Sequence, residues 1–345
     1  MKKHNAKPIS TVAALLAMLL SASLSWAQIG PGGKLPGRRG ASSPAQMASR
    51  QAGQAKTPGS PSYTYGYLDF PLAPDTAAYG INPGATSSEM ELVGAYGPQV
   101  AVTGEGSGFF LEVVQHKANF TQTFKTENYP KSTYVLPAGI NDSGKIVGLY
   151  FDSPNTILGY ELSGGKYTKL EVPFSGATYT LPSGINNSGE IVGTWADGSF
   201  VDHGFVLSGG VYTSFDYPGA PETDPISVNG GGLISGYYYD SSDIPHGFQL
   251  SGGTYTLIDF PGAAGTVAYG NNDAGDVVGF YCLTSGCLTD GFSGAQGFLL
   301  SGGVYTTIDV PGASSTFAAD INDNGVIVGY YADYGGYYHA FIAMP

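Results

Sequence analysis

The feature that most constrains this chain is an internal repeat that runs through most of its length. The string HGFQLSGGTYTLIDFPGA at 246–263 returns almost unchanged at 203–220 and 296–313. A second motif, an asparagine followed by a tight turn and a strand ending in glycine, recurs at spacings of 59, 45, 43, 43 and 50 residues and is anchored by Asn82, Asn141, Asn186, Asn229, Asn272 and Asn322. Six copies of one unit therefore account for residues 63–345.

Each unit contains four short runs of alternating or apolar residues, and each run ends in residues that favour turns. In the clearest copy the runs are TVAYGNN, DVVGFY, GFLL and VYTTIDV. Asn-Asp-x-Gly and Ser-Gly-Gly supply the positive φ angles of short hairpins, and Pro-Gly-Ala ends the fourth run because proline has no amide donor. We predict four antiparallel strands per unit, and no helix, since no stretch has helical periodicity or length.

Four strands in about 40 to 45 residues is the size of a propeller blade. We therefore predict an all-β fold, a six-bladed β-propeller of four-stranded antiparallel blades. The chain ends in HAFIAMP, the first half of the repeated string, and the ordered region begins with SYTYGYLDFP, its second half. Pairing of the N- and C-terminal strands would complete the last blade and leave no open edge there. We assign the asparagine-ended run to the axis and the IDxP run to the outer edge; an open β-solenoid is the alternative.

The N-terminal segments precede the repeats. Residues 1–27 combine lysines, an apolar run and small residues near Ala27, the pattern of a signal peptide cleaved there. The apolar run is too short to cross a bilayer, so we expect no membrane span. Residues 28–62 are rich in Gly, Pro and Ala and are basic, which indicates a disordered leader. The expected location is secreted, either extracellular or periplasmic.

The predicted propeller is strongly acidic. Residues 63–345 hold all 27 Asp and Glu of the chain but six Lys and no Arg, a net charge of −21. Such a domain repels phosphate backbones, which argues against nucleic acid and anionic lipid and favours cations, neutral sugars or basic partners. The two cysteines, Cys282 and Cys287, share one loop. In an exported chain they predict a local disulfide, because a zinc site would need two more ligands.

Several linked motifs resemble a known repeat family. The triplets His203-Gly204-Phe205, His246-Gly247-Phe248 and His339-Ala340-Phe341 stand beside GIN-x-x-G-x-IVG and SGGxYTxIDxPGA strings. Together they resemble the bacterial HAF repeat, which is named after the triplet. The resemblance covers about residues 63–345; the first unit departs from it, since it lacks Ser-Gly-Gly and has Asn128 in place of the acid. The resemblance implies export and repeated β structure, and no reaction.

Two positions of the repeat are candidates for metal binding or proton transfer. The triplet histidines are potential metal ligands or proton carriers, but other units have Gln296, Gly159 and Ser107 there, so we predict a structural hydrogen bond near a strand start. The acid of IDxP recurs as Asp69, Glu171, Asp216, Asp259 and Asp309. We predict that it accepts hydrogen bonds from the turn after its strand and does not form a ring of carboxylates.

The asparagine turns are rich in oxygen atoms. The loops 141–144, 272–276 and 320–325 lack the length and the closing Glu of a helix-loop-helix calcium site. We interpret them as hairpin turns, with calcium as an alternative and no other cofactor.

The candidate binding residues are tyrosines. No nucleophile elbow, zinc-protease motif or P-loop occurs in the sequence, and without Arg the repeats cannot clamp a carboxylate or phosphate bidentately. Tyrosines cluster at the ends of the second strands and in the loops to the third strands, where amphipathic rings suit a contact surface. The candidates are Tyr237, Tyr238, Tyr239, Tyr331, Tyr334 and Tyr337.

These observations predict an exported, non-enzymatic recognition module that binds a neutral glycan or a protein partner through those loops. One alternative is an exported glycan hydrolase or lyase whose carboxylates come from different blades. Another is a surface-layer building block that self-associates. Propellers host both binding and catalysis, so the fold does not decide between them.

Overall fold

The computed structural model describes residues 62–82, 89–97, 107–116, 119–127, 129–130, 132, 134–153 and 156–345. The signal peptide predicted at 1–27 and the leader predicted at 28–62 lie outside these residues, except for Ser62, and remain predictions. In the described part of the chain no helix has the length and apolar character needed to cross a membrane.

Six four-stranded antiparallel sheets form the six blades of a propeller. The described chain begins with β1 (Thr64–Tyr67), which is the fourth strand of blade 6. The first strands of blades 1 to 6 are β2 (Asp75–Ile81), β6 (Tyr134–Ile140), β10 (Tyr179–Ile185), β14 (Glu222–Val228), β18 (Gly265–Asn271) and β22 (Ser315–Ile321). The second strands are β3 (Glu89–Gly97), β7 (Ile146–Ser153), β11 (Ile191–Ala196), β15 (Ile234–Tyr239), β19 (Val277–Cys282) and β23 (Ile327–Ala332).

The third and fourth strands follow in the same order. The third strands are β4 (Ser107–His116), β8 (Thr156–Ser163), β12 (Asp202–Ser208), β16 (Pro245–Ser251), β20 (Gln296–Ser301) and β24 (Tyr338–Met344). The remaining fourth strands are β5 (Asn119–Glu127), β9 (Lys166–Leu170), β13 (Val211–Phe215), β17 (Thr254–Ile258) and β21 (Val304–Ile308). The six first strands contact one another around the ring, so they lie at the axis and the fourth strands lie at the rim. The predicted fold and strand order are confirmed.

The two ends of the described chain close the ring. Strand β1 pairs antiparallel with β24, with Thr64 opposite Met344 and Tyr67 opposite Phe341. The pairing continues past β1, because the amide of Leu68 donates to the carbonyl oxygen of Ala340 at 3.0 Å. The two halves of the repeated string therefore form one blade, as predicted.

The glycine of the repeated IVG motif is required by a close backbone approach. Each first strand has an irregular register, typical of a β-bulge, where it pairs with its second strand. At Gly193 a Cβ atom would lie 2.1 Å from the carbonyl oxygen of Leu181 in the neighbouring strand. Any larger residue would push the axial strand out of place, so only glycine fits at this position of the motif.

The repeated asparagines join neighbouring blades. The Nδ2 of Asn186 donates to the carbonyl oxygen of Asn229 at 3.0 Å, and four other junctions have the same bond at 2.8–3.3 Å. The Oδ1 of Asn186 accepts from the amides of Ser188 and Glu190, which closes its own turn. One side chain thus shapes the hairpin and holds the next blade.

One short helix was not predicted. Helix α1 (Ser285–Thr289) lies between the second and third strands of blade 5, with Thr284 as its N-terminal cap. The expectation of no helix is wrong here, because five residues are too few to show helical periodicity. The disulfide between Cys282 and Cys287 lies in the same loop, as predicted.

Candidate functional site

The two ends of the ring differ in their connections. One end, here the loop face, carries the connections from each second strand to the third and from each fourth strand to the next first strand. The other end, here the turn face, carries the asparagine turns and the Ser-Gly-Gly turns. The described connections from the second strand to the third vary from five residues, in 197–201, 240–244 and 333–337, to the loop 283–295 with its helix and disulfide in blade 5. A surface for selective binding is expected at the variable end.

Exposed apolar side chains are concentrated on the loop face. Among the described residues, five of the exposed large hydrophobic side chains lie there: Leu72, Phe200, Leu283, Tyr334 and Tyr337. The other three, Val211, Leu257 and Val304, lie on fourth strands at the rim. Exposed aromatic and aliphatic groups on loops of a rigid scaffold provide contact area for a ligand.

Two of these side chains stand on strained backbone. Leu72 has a φ of 67° where the corresponding connections of other blades have glycine, and Phe200 has a φ of 60° where blade 6 has Gly336. The left-handed conformation costs a non-glycine residue about 1–2 kcal/mol. Leu72 is 99% exposed and Phe200 is 60% exposed, so burial does not offset that cost. Strain of this kind is typical of functional loops.

The six candidate tyrosines fall into three groups. Tyr237 and Tyr331 lie inside second strands that are paired on both sides, and both are buried. Tyr238 and Tyr239 are partly buried, and the ring of Tyr238 stacks on Tyr217 at 3.7 Å between centroids. Tyr334 and Tyr337 are exposed in the loop of blade 6. Of the six, only the exposed and partly buried rings offer surface to a ligand in this structure.

The triplet histidines pair with the repeated acids. Nδ1 of His203, His246 and His339 lies 2.9, 2.8 and 3.0 Å from a carboxylate oxygen of Asp216, Asp259 and Asp69, respectively. The predicted structural hydrogen bond of the histidines is therefore confirmed. The predicted partner of these acids was wrong, because it is the histidine of the adjacent third strand and not the following turn.

His339 also faces a second acid. Its Nε2 lies 3.7 Å from Oδ2 of Asp333, in the loop before the third strand. Burial lowers the pKa of His339, but the hydrogen bonds and charges of Asp333 and Asp69 outweigh it and raise that pKa to about 9. The charged imidazole thus ties a loop-face connection to the rim of its blade.

The side-chain oxygen atoms of the asparagine turns accept hydrogen bonds from amides of the same turn or of a neighbouring turn. Oδ1 of Asn141 accepts from the amides of Ser143 and Lys145, and the amide of Asp273 donates to Oδ1 of Asp323 at 2.8 Å. Burial raises the pKa of Asp142, and the nearby charges of Asp323 and Asp273 add to that rise. Within the described residues no group of three or more His, Cys, Asp or Glu is placed to hold a metal ion. Calcium remains an alternative for the binding experiments.

Two carboxylates that are 0% exposed were missed by the sequence reasoning. Asp202, the first residue of β12, and Asp224, the third residue of β14, are both 0% exposed and come from blades 3 and 4. The hydroxyl of Tyr179 donates to Asp202, and the hydroxyl of Thr194 donates to Asp224 at 3.0 Å. We call these two residues the acid pair. The signal that would have found them is their departure from the repeat.

The chain was compared with known proteins. No protein-family model and no curated protein sequence matches it, so the HAF resemblance remains a prediction. Solved structures that it is similar to include a mutant of AofleA from Arthrobotrys oligospora, at 12% identity and a TM-score of 0.47, covering 83% of this chain and 88% of that one. A fucose-specific lectin from Aleuria aurantia has 14% identity, a TM-score of 0.45 and coverage of 77% and 91%. Trypanosoma rangeli sialidase has 10% identity, a TM-score of 0.49 and coverage of 78% and 54%.

Proposed function

We propose that this propeller is a recognition module that binds a neutral glycan or a protein surface through its loop face. The observation that carries the proposal is the concentration of exposed Leu72, Phe200, Leu283, Tyr334 and Tyr337 at that end of the ring. A purely structural ring gains nothing from apolar side chains held in water. A ligand that covers them would gain the burial of that surface.

Backbone strain also supports binding at the loop face. Leu72 and Phe200 occupy left-handed positions where glycine serves elsewhere in the ring. Glycine would remove the strain and the side chain together, so the retained side chains point to a contact that needs them.

The charge of the propeller restricts the classes of ligand that it can bind. With a net charge of −21 over residues 63–345, nucleic acids and anionic lipids are repelled. A neutral glycan or a neutral to basic protein surface is compatible with this field. Export is part of the proposal, supported by the signal-peptide pattern and by the disulfide, which persists in oxidising compartments.

The test is a glycan and protein-array screen of the full mature chain, run with calcium and with chelator. A fourfold variant combines Leu72→Gly, Phe200→Gly, Tyr334→Ala and Tyr337→Ala, and we expect it to fold and to lose binding. The control variant combines Val211→Ser, Leu257→Ser and Val304→Ser, which removes exposed apolar groups from the rim. Retained binding in the loop-face variant, or equal loss in the rim variant, would contradict the proposal.

The second candidate function is glycan hydrolysis or elimination. The specific observation in its favour is that two fully buried carboxylates, Asp202 and Asp224, come from different blades. Both carboxylates are fully buried in this conformation, which favours binding over catalysis. Release of reducing or unsaturated sugar that is abolished by Asp202→Asn or Asp224→Asn alone would replace the recognition proposal.

A further inference from the structure

One position at the axis breaks the symmetry of the ring. At the sixth residue of the first strand, four blades have glycine and blade 4 has serine, namely Gly80, Gly139, Gly184, Gly270 and Ser227. Blade 6 has Asp320 there. Five blades form their first strand without an acid at this position, so the carboxylate of Asp320 is not a requirement of the blade itself.

The side chain of Asp320 lies between two neighbouring blades. Its Oδ2 accepts a hydrogen bond from the amide of Ile81, in the first strand of blade 1, at 3.0 Å. Its Oδ1 accepts from the amide of Ile321, the next residue of its own strand, at 2.9 Å. On the side of blade 5, Gly270 leaves room for the carboxylate, because a Cβ atom there would collide with Oδ1. One carboxylate therefore contacts blades 5, 6 and 1.

The asparagine link between blades is missing at the same junction. At five junctions Nδ2 of the repeated asparagine donates to the carbonyl oxygen of the next one. Nδ2 of Asn322 is buried and has no hydrogen-bond partner in the described part of the chain. The bond from Ile81 to Asp320 joins blades 6 and 1 instead. A carboxylate can gain a proton, which an asparagine amide cannot do, so this junction can respond to pH.

The surroundings of Asp320 favour its protonated form. The residue is partly buried, and burial is the largest cause that raises its pKa from 3.8 to about 7. The amides of Ile81 and Ile321 act in the opposite direction. The charge of Asp323, in the turn after β22, adds to the rise because two like charges disfavour each other.

The titratable groups on the strands packed against β22 do not change charge where Asp320 does. Strand β2 contributes Asp75, which accepts from the amide of Tyr338 at the loop-face end. Strand β20 contributes none. Strands β2, β18, β19 and β23 contribute the tyrosines Tyr79, Tyr269, Tyr281, Tyr330 and Tyr331. Burial raises the pKa of each of these tyrosines above its ordinary value, so they stay neutral near pH 7. Asp323 is the charged group that acts on Asp320.

We propose that Asp320 is a pH-dependent switch that stabilises the junction between blades 6 and 1 when it is protonated. The protonated side chain is neutral, and its carbonyl oxygen still accepts from the amide of Ile81. Loss of the proton places a charge beside Asp323 in a partly buried site, which weakens the junction. Because the folded chain binds this proton more tightly than the unfolded chain, the stabilisation is complete below pH 3.8 and is lost as pH rises to about 7. The proposal does not depend on what the loop face binds.

The first experiment measures the titration of Asp320 in the full mature chain. Carbon-13 NMR follows the aspartate carboxyl carbons, and the signal that is absent from Asp320→Asn is assigned to Asp320. We expect its midpoint near pH 7. In Asp323→Asn the midpoint should move to lower pH, because the neighbouring charge is removed. A midpoint near pH 4 in the native chain would overturn the proposal.

The second experiment compares urea unfolding of the native chain and of Asp320→Asn between pH 4 and pH 9. Relative to this variant, the folding equilibrium constant of the native chain should fall about tenfold for each pH unit between pH 4 and pH 7, and then stay constant. Asp320→Gly, the residue of four other blades, should give the same pH profile. Ser227→Gly is the matched control at the same position of blade 4, and its effect should not vary with pH. A difference between the native chain and Asp320→Asn that is equal at every pH would overturn the proposal.

Hydrogen exchange tests whether the effect is confined to this junction. After correction for the chemical exchange rate, amides of β2 around Ile81 should exchange faster at pH 8 than at pH 5 in the native chain. In Asp320→Asn their corrected exchange should not depend on pH. Amides at the junction between Asn186 and Asn229 should be unchanged in both proteins. Equal acceleration at every junction of the ring would contradict a switch located at Asp320.

Discussion

The turn face of the ring is more regular than the loop face. On the turn face one asparagine per blade repeats the same bonds, with Nδ2 reaching the next blade at five junctions. The loop face repeats a five-residue aspartate turn in blades 3, 4 and 6 but carries a helix and a disulfide in blade 5, and all four non-glycine residues with positive φ in the described chain lie there: Leu72, Phe200, Asp243 and Phe292. The comparison shows that a repeat can keep one end constant while the other end accepts an insertion and non-glycine residues on left-handed backbone.

The junction between blades 6 and 1 is an informative exception within the turn face. Nδ2 of Asn322 has no hydrogen-bond partner, whereas Asp320 accepts from the amide of Ile81 at 3.0 Å across the junction. Other blades have Gly or Ser at the position of Asp320. Burial raises the pKa of Asp320 to about 7, although two backbone amides act against that rise. A carboxylate thus bridges the junction between blades 6 and 1.

The largest expected effect is on the turn face. Asn186→Ala removes one bond to blade 4 and three bonds within its own turn. At about 1 kcal/mol for each bond, we expect the free energy of unfolding to fall by about 4 kcal/mol. Urea unfolding of the full chain measures this value. Asn187→Ala, at the exposed neighbouring position, should cost much less; equal effects would mean that the asparagine links are not special.

The disulfide should have the next largest effect, and it belongs to the loop face. Replacing Cys282 and Cys287 with Ser opens a loop whose ends are 5 residues apart in sequence. Loop-closure entropy for so short a ring is about 2 kcal/mol. We expect a loss of that size in urea unfolding while native-state hydrogen exchange at the asparagine turns stays unchanged. Faster exchange throughout the ring would contradict a local role.

Removing the backbone strain at Phe200 should stabilise the protein, whereas the two changes above destabilise it. Phe200→Gly removes about 1–2 kcal/mol of left-handed strain, and the flexibility of glycine in the unfolded chain takes back about 0.4–1 kcal/mol. The variant should therefore be more stable by about 0.5 kcal/mol. Gly189→Ala tests the same conformation on the turn face, at a φ of 82°, and should be destabilising. Thermal unfolding of both variants compares the two faces directly, and a destabilised Phe200→Gly would show that Phe200 is held by contacts.

The smallest expected effect is a pH dependence at the loop face. The pKa of His339 is raised from 6.5 to about 9, so its pairing contributes fully below pH 6.5 and is lost as pH rises through 9. The hydrogen bonds of Asp333 lower its pKa from 3.8 even though burial acts to raise it, so its contribution is complete only above pH 3.8. The stability difference between the native chain and His339→Gln should be largest between these values and vanish above pH 9. A difference that stays constant up to pH 10 would contradict the pairing.

The fold was predictable because the residues that form turns and strands recur in all six units. Asparagine before a turn, glycine at the strand crossing and proline after the fourth strand each have one structural reason, and the split copy at the two ends predicted the closure. The partner of the IDxP acids could have been predicted, because His203 and Asp216, like His246 and Asp259, lie 13 residues apart on the two strands of one hairpin. Tyr237 and Tyr331 were chosen as surface residues because they end apolar runs, but both are still paired on two sides.

The acid pair, in contrast, could not be found from the repeated motifs. Searching for repeated motifs finds what all blades share, whereas Asp202 and Asp224 matter because their counterparts are apolar or small. Their burial depends on how blades 3 and 4 meet, which no single unit encodes.

The most direct test of the account is hydrogen-deuterium exchange of the mature chain with and without a ligand selected from the arrays. The account predicts protection confined to the loop face, at the connections around Leu72, Phe200, Leu283 and Tyr334–Tyr337. Protection centred on the asparagine turns or on the rim strands, with the loop face unchanged, would contradict the claim that recognition and structure are divided between the two ends of the ring.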